Sequence, residues 1–183
     1  MQRDLVVQAQ RGDAEAFTIL AGQAIDRLHG VAYRILRDAD RADDATQQAL
    51  ISAWDHIRDV RDPESFDAWT YRLVVHAAYR EARRERSQRA RVRLIRMTSD
   101  GDPDLGDEAA RRDELERAFG RLSPEHRAVL VLHHYADLPL AEIAQILRIP
   151  VGTVGSRLYH ATRQLRAALE VGDAPVVAHR QAV

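Results

Sequence analysis

The 183-residue sequence contains no cysteine, no lysine and no asparagine, and only 5% of its residues are aromatic. The absence of cysteine excludes disulfides, thiolate zinc sites and thiol-based redox sensing. No apolar run approaches the roughly 20 residues that a membrane span requires, and the first residues lack the apolar core of a signal peptide. We therefore expect a cytoplasmic protein that does not insert into membranes.

The arginines are unevenly distributed along the chain. The chain has 27 arginines, which supply all of its basic side chains other than histidine. Between Tyr71 and Arg96, nine arginines stand against two glutamates, a balance of +7. Between Asp100 and Glu116, eight acidic residues stand against two arginines, a balance of −6. The first block predicts a surface that binds a polyanion, whereas the second, which is rich in turn residues, favours a solvated linker.

The apolar residues recur with helical spacing, and no segment alternates as a strand does. The predicted fold is therefore all-α. It consists of two small helical domains, residues 1–90 and 113–170, joined by a charged flexible linker at 91–112 and followed by a loose tail at 171–183. Ser65 is predicted to cap a long helix from Phe66 to about Arg86, and Ser123 is predicted to cap a helix that begins at Pro124.

The segment "EIAQILRIPVGTVGSRL" interrupts a helix for three residues and then starts another. Pro150 ends the first helix and suits the first turn of the second. The second helix turns four apolar residues inward, Val154, Leu158, Ala161 and Leu165. Its outward residues are small, polar or cationic: Thr153, Ser156, Arg157, His160 and Arg163. This pattern predicts a helix-turn-helix whose second helix enters a major groove, although a helix hairpin in an ordinary bundle has the same spacing.

The long helix from Phe66 carries a second pattern on one face, an aromatic residue followed by cationic ones: Trp69, Arg72, His76, Arg80 and Arg83. Such a face suits a single nucleic-acid strand, because rings stack on bases and arginines follow phosphates. Trp69 could equally be a core residue. Trp54, on the preceding helix, is expected in the core, and Leu73, Val74 and Ala77 are expected to pack inward.

No arrangement of residues predicts catalysis or a cofactor. The neighbouring His133 and His134 point about 100° apart on a helix, so we expect no metal site there. No nucleophile with its base, carboxylate pair or glycine-rich phosphate loop is evident. We expect a binding protein rather than an enzyme.

Two long segments resemble the extracytoplasmic-function (ECF) group of bacterial RNA polymerase sigma factors. "LERAFGRLSPEHRAVLVLHHYADLPLAEIAQILRIPVGTVGSRLYHATRQLRAAL" is similar to sigma region four, and "GTVGSRL" is especially like that group's motif. "LVVQAQRGDAEAF", "YRILRDADRADDATQQALISAW" and "SFDAWTYRL" resemble region two in order and spacing. The resemblance covers about nine-tenths of the chain.

The resemblance implies a subunit that binds core RNA polymerase and directs promoter recognition, DNA melting and transcription initiation. Region four would read the minus-35 element through Thr153, Ser156, Arg157, His160 and Arg163. Region two would capture the minus-10 single strand with Phe66, Trp69, Arg72, His76, Arg80 and Arg83. The clamp helices of the largest polymerase subunit would be bound by Asp43, Asp44, Gln47 and Gln48.

The resemblance also implies partners beyond DNA. Region four would contact the polymerase flap, and an anti-sigma factor would hold the protein inactive; the free protein would be a monomer. Several positions depart from the group's usual residues: Gln48, His76, Arg80, Pro139, Gly155, His160 and Thr162. The alternative function is a free-standing helix-turn-helix regulator, which would bind duplex DNA without polymerase.

The turn-rich linker supports a first prediction. Limited proteolysis of the native protein is expected to cut first within residues 91–111, because flexible, polar linkers are preferred cleavage sites. Mass spectrometry of the earliest fragments measures this. Cleavage that begins equally in all parts of the chain would contradict the predicted division.

Overall fold

The computed structural model describes the backbone of residues 1–95 and 109–172 and the side chains of residues 1–88 and 115–168. These ranges contain eight α-helices and no strand, which confirms the predicted all-α fold. The helices are α1 (Gln2–Gln10), α2 (Ala14–Leu36), α3 (Ala39–His56), α4 (Phe66–Ile95), α5 (Ala109–Arg121), α6 (Pro124–His134), α7 (Leu140–Leu147) and α8 (Val151–Gly172). Two short 3-10 helices, Ile57–Asp59 and Pro63–Ser65, connect α3 to α4.

Side-chain caps explain where several helices begin. Asp13 accepts hydrogen bonds from two backbone amides at the start of α2, and Asp38 accepts one at the start of α3. Ser123 accepts a hydrogen bond from the His126 amide, and Pro124 is the first residue of α6, as predicted. Each cap satisfies amides that have no partner inside the helix.

The predicted cap at Ser65 is wrong. Asp62 caps this segment instead: its carboxylate accepts from the Glu64 amide, and the Ser65 hydroxyl donates to it at 3.0 Å. Pro63 fixes the backbone for the 3-10 helix that follows Asp62, so the helical segment begins one turn earlier than the Phe66 pattern indicates.

The helices flanking the predicted linker extend into it. α4 continues to Ile95 and α5 begins at Ala109, so both ends of the 91–112 segment are helical and residues 96–108 lie outside the described residues. α8 continues to Gly172, and the remainder of the predicted tail, 173–183, also lies outside them. The division into residues 1–90 and 113–170 stays a prediction.

The four N-terminal helices and the four C-terminal helices share one hydrophobic core. Leu28 and Ile35 of α2 and Val75 of α4 belong to the same buried cluster as Leu132 of α6 and Ile143 of α7. The contact surface between α1–α4 and α5–α8, called the seam below, is formed by α2 against α6 and by α4 against α6 and α7. Apolar burial of this kind is what stabilises one arrangement of two helix groups over others.

Gly30 of α2 leaves room for the side chain of Tyr135, the residue that follows α6, at the seam. Gly30 faces Tyr135, and a Cβ atom at position 30 would lie only 2.3 Å from the Tyr135 hydroxyl oxygen. The Arg34 guanidinium lies 3.7 Å from the centroid of the same ring, a cation–π contact. One turn further, Arg37 forms an ion pair with Glu116 at 2.6 Å. A larger residue at position 30 would therefore displace the Tyr135 ring.

Candidate nucleic-acid and polymerase interfaces

The break between α7 and α8 is a tight turn with its own hydrogen bonds. Arg148 adopts the left-handed conformation (φ 54°), and its amide donates to the Ala144 carbonyl, which ends α7. The Pro150 carbonyl then accepts from the amides of Thr153 and Val154, so α8 begins at once. A helix of eight residues and one of 22, joined in this way, form the predicted helix-turn-helix.

The faces of α8 agree with the prediction. Val154 and Ala161 are fully buried, and Leu158 and Leu165 pack against the core. Among the predicted groove residues, three are exposed and two are half-buried. The exposed ones are Ser156, His160 and Arg163; the half-buried ones are Thr153 and Arg157.

Arg157 lies toward the seam rather than fully outward. It interacts electrostatically with Tyr79 of α4 and with Glu125 and His126 of α6. Burial, followed by the charge of Glu125, raises the pKa of Tyr79 well above its ordinary value. The hydroxyl oxygen of Tyr79 is buried and has no hydrogen-bond partner among the described residues. Arg157 is therefore half-buried and lies within electrostatic range of both halves of the chain.

One residue on the groove helix was missed by sequence reasoning. Tyr159 is 64% exposed and its ring packs edge-on against His160, with centroids 5.5 Å apart. It follows Ser156 by three positions and precedes Arg163 by four, the spacing of one helix face. That spacing could have identified it, but its aromatic side chain instead suggests burial in a sequence with few aromatic residues.

The stripe on α4, defined as Trp69, Arg72, His76, Arg80 and Arg83, forms one face in the structure. His76, Arg80 and Arg83 are exposed, whereas Trp69 and Arg72 are half-buried. Val74 and Ala77 are completely buried and Leu73 packs against the core, as predicted. The Arg80 guanidinium lies 3.4 Å from the Gln48 side-chain oxygen, which connects the stripe to α3.

Two aromatic predictions need correction. Phe66, predicted among the strand-binding residues, is only 2% exposed and packs with Val6, Leu20 and Ile57, because the start of α4 lies against α1 and α2. It has no free face for a base in this conformation. Trp54, predicted in the core, is 39% exposed; Phe17 covers one side at a centroid distance of 5.0 Å.

The first helix of the helix-turn-helix covers part of the stripe. Trp69 and Arg72 line a 290 Å³ cleft together with Gln145 and Ile146 of α7. Burial, followed by the positive charge of Arg148, lowers the pKa of Arg72. Partial shielding from water, followed by Arg148 and Arg72, likewise lowers the pKa of His76. Like charges therefore face each other where α7 meets α4.

Two of the predicted docking residues, Asp43 and Gln47, line a groove that also has an apolar part. Asp43, Asp44 and Gln47 are exposed and Gln48 is half-buried. Asp43 lies 3.1 Å from the His29 ring. The groove has a volume of 490 Å³ and includes Ile25 and Ile51, which are 43% and 54% exposed. The sequence did not predict this apolar part, because exposed and buried isoleucines occur in the same helical pattern.

Within the described ranges, no three histidine or acidic side chains are grouped as metal ligands. His133 instead contacts the Leu138 carbonyl through Nδ1 at 3.1 Å. Among the same residues, no helix has the length and apolarity needed to cross a lipid bilayer.

The two halves of the chain match two models of one protein class. Residues 20–88 match Sigma-70 region 2, and residues 112–165 match Sigma-70, region 4. RNA polymerase sigma-H factor of Pseudomonas aeruginosa is 31% identical over 92% of this chain and 93% of that protein. ECF RNA polymerase sigma factor SigW of Bacillus subtilis is 28% identical over 92% and 97%. The chain belongs to the sigma-70 family, in the ECF group, and is thus a transcription initiation factor rather than an enzyme.

Solved structures support the same assignment. CnrH, solved in complex with the cytosolic domain of CnrY, has a TM-score of 0.68 and 25% identity, covering 93% of this chain and 97% of that one. The sigma factor RpoE of Bartonella quintana, solved with the anti-sigma factor NepR, also has a TM-score of 0.68; at 19% identity over 86% and 99%, it supports the fold alone.

Proposed function

We propose that this sigma factor docks on core RNA polymerase through the groove beside α3, captures the minus-10 strand with the α4 stripe, and binds the minus-35 box with α8. In the arrangement described above, α7 of the second half partly covers the α4 stripe. The single observation that carries this proposal is the position of α7, which packs against the stripe at Trp69 and Arg72. Promoter binding therefore requires the seam to open.

The spacing of the two promoter elements supports opening on geometric grounds. Their centres lie about 25 base pairs apart, which is roughly 85 Å of duplex at 3.4 Å per pair. A single compact unit of 183 residues has a radius of gyration near 16 Å, hence a diameter of roughly 40 Å. A closed chain of this size cannot contact both elements at once, whereas two domains joined by a linker can.

The groove beside α3 has the composition of a protein interface. Ile25 and Ile51 supply exposed apolar area, and Asp43 and Gln47 supply a polar rim. In the proposed complex, the clamp helices of the polymerase would pack on the isoleucines, and the acidic residues would orient them. This groove lies away from the seam residues, so docking does not itself require opening.

A reconstituted transcription assay tests this function. The protein with core polymerase is expected to initiate at a cognate promoter, while either component alone does not. A free-standing regulator would instead bind the promoter duplex tightly without polymerase. Tight binding in the absence of polymerase, with no stimulation of initiation, would favour that alternative.

The groove helix gives a second prediction. Ser156→Ala and Arg157→Ala are each expected to weaken minus-35 recognition, since one good base contact contributes about 1–3 kcal/mol, or roughly a 5- to 150-fold change. Binding to core polymerase should be unchanged. Arg3→Ala, an exposed arginine on α1, is the matched control for charge. Unchanged transcription from a cognate promoter in both variants would show that α8 does not bind the box.

We further propose that an anti-sigma factor holds the protein inactive in the cytoplasm. The support is that CnrH, similar over 93% of this chain, was solved with the cytosolic domain of CnrY. A partner that contacts both halves at once gains avidity of roughly 10²–10⁴ without any new type of contact. Such a partner would cover α8 around Thr153–Arg163, the α3 groove around Asp43–Gln48, or both.

The partner gives a third prediction. Pull-down of the tagged protein from uninduced cells is expected to recover a stoichiometric second protein and little core polymerase. Induction should reverse the two amounts. Recovery of core polymerase alone before induction would indicate control by expression level instead.

A further inference from the structure

A second cavity opens in the seam, about 14 residues further along α4 than the cleft at Arg72. It has a volume of 510 Å³ and is lined from both halves of the chain. The first half contributes the end of α2 and the region of α4 around Arg86. The second half contributes the end of α5 and the start of α6, including Arg121 and Arg127. Fourteen residues of helix correspond to roughly 21 Å, so this cavity is distinct from the strand-binding stripe at Trp69.

The cavity has an excess of positive charge. Four arginines and two acidic residues line it, Arg37, Arg86, Arg121, Arg127, Asp38 and Glu85. Arg41 forms ion pairs with both acidic residues, and Arg37 forms one with Glu116. The other three arginines have no ion-pair partner within 4 Å among the described side chains. Two of these are exposed and therefore free to reorient.

Arg127 is the most informative of the three. Its Nε atom is buried and has no hydrogen-bond partner among the described residues. Burial, followed by the neighbouring charge of Arg37, lowers its pKa, while Glu85 and Glu125 act in the opposite direction. A buried guanidinium nitrogen without a partner is costly, so it calls for an ordered water or a ligand to accept its hydrogen bond. An anion bound in the cavity beside Arg127 would accept this hydrogen bond, which no described residue of the protein does.

We propose that this cavity binds a small metabolite carrying a di- or triphosphate, and that the bound group holds the two halves together. Arginine forks are well matched to phosphate oxygens, and here they approach from both sides of the seam. The volume lies within the roughly 300–1,000 Å³ of small-molecule sites, which favours a nucleotide-sized ligand over a lone phosphate.

A regulatory consequence follows if the proposed function is correct. A ligand that contacts both halves binds the closed form better than the open one, so it opposes promoter binding by thermodynamic linkage. Binding of the phosphate group itself does not depend on polymerase or promoter. Absence of pyrophosphate binding would contradict the cavity proposal, whereas absence of promoter-specific initiation would contradict the proposed function. Neither result implies the other.

The test uses the full chain and inorganic pyrophosphate as the probe, with isothermal titration calorimetry as the measurement. Pyrophosphate is expected to bind and to raise the melting temperature. Arg121→Ala and Arg127→Met should each weaken binding by about tenfold or more, because each removes charge-assisted hydrogen bonds. Arg58→Ala, an exposed arginine remote from the cavity, is the matched control and should bind as the unaltered chain does.

Arg127→Met has a further expected effect that a purely structural arginine would not have. In the absence of pyrophosphate, it should raise the melting temperature, because it removes a guanidinium whose Nε is buried without a hydrogen-bond partner among the described residues. Arg121 is exposed, so Arg121→Ala keeps the test decisive if Arg127→Met folds poorly.

Three outcomes would overturn the proposal. The first is no saturable binding up to about 1 mM pyrophosphate. The second is an equal loss of binding in Arg80→Ala, which would place the anion on the α4 stripe. The third is displacement of pyrophosphate by a short duplex with the same dependence on Arg121, which would assign the cavity to DNA backbone phosphates.

Discussion

A Gly30→Leu variant is expected to shift the molecule strongly toward an open form. Any Cβ at this position would lie 2.3 Å from the Tyr135 hydroxyl oxygen and 3.0 Å from the nearest ring carbon. Tyr135 must therefore leave its position and lose its contact with Arg34. Overpacking typically costs about 1–3 kcal/mol, so the ratio of closed to open molecules should fall by roughly 5- to 150-fold.

Gly22→Leu is a matched control for this experiment. Gly22 lies in the same helix, and a Cβ there has no neighbouring atom within 4 Å. Replacing either glycine increases helix propensity by a similar amount, so the comparison isolates the seam. Because the chain has no cysteine, a dye pair can be attached specifically after Gln8→Cys and Gln164→Cys, both at exposed positions.

Energy transfer between these dyes is expected to decrease in Gly30→Leu and to stay unchanged in Gly22→Leu. The open variant should also bind a minus-10 single strand more tightly, since α7 no longer covers Trp69. Equal energy transfer in the two variants would show that the contact between Gly30 and Tyr135 does not hold the halves together.

The second large effect is expected from the stripe. Trp69→Ala and His76→Ala should impair opening of the minus-10 region more than initial duplex binding, because only the unpaired strand offers bases for stacking. Stacking contributes about 1–3 kcal/mol per base, so bubble formation should fall by roughly 5- to 150-fold. Permanganate reactivity of unpaired thymines measures the bubble, and a duplex-binding assay measures the first step.

Trp54→Ala is the matched control, because it removes the other tryptophan, which packs on Phe17 away from the stripe. His76 is exposed, so His76→Ala should fold even if Trp69→Ala loses stability through its contact with Phe66. A normal bubble in both stripe variants would refute strand capture by this face.

The local features of this fold could be predicted from sequence because they depend on neighbouring residues. Pro150, the cap at Ser123 and the inward spacing of Val154 and Ala161 all act within one or two turns of helix, where side-chain chemistry and periodicity are informative. The three proposed interfaces could be predicted for the same reason, since each consists mainly of one helix face.

The seam could not be predicted, because it depends on residues far apart in sequence. Gly30 and Tyr135 are separated by more than 100 positions, and neither has a pattern that indicates the other. A glycine inside a helix and an aromatic residue at a helix end each have several common explanations. The burial of Phe66 has the same cause: α1 covers it, and the sequence of α4 alone does not reveal that contact.

The like charges of Arg72 and Arg148 have a consequence for the response to ionic strength. Most charged interfaces loosen as salt is added, because attraction between unlike charges is screened. Here repulsion between like charges opposes closure, so its screening by added salt should favour the closed form. The exposed ion pair between Arg37 and Glu116 is screened as well, but such surface pairs contribute little. Salt also weakens phosphate contacts with DNA. Both effects reduce promoter binding. The affinity for promoter DNA should therefore fall more steeply with salt concentration than the number of phosphate contacts alone predicts.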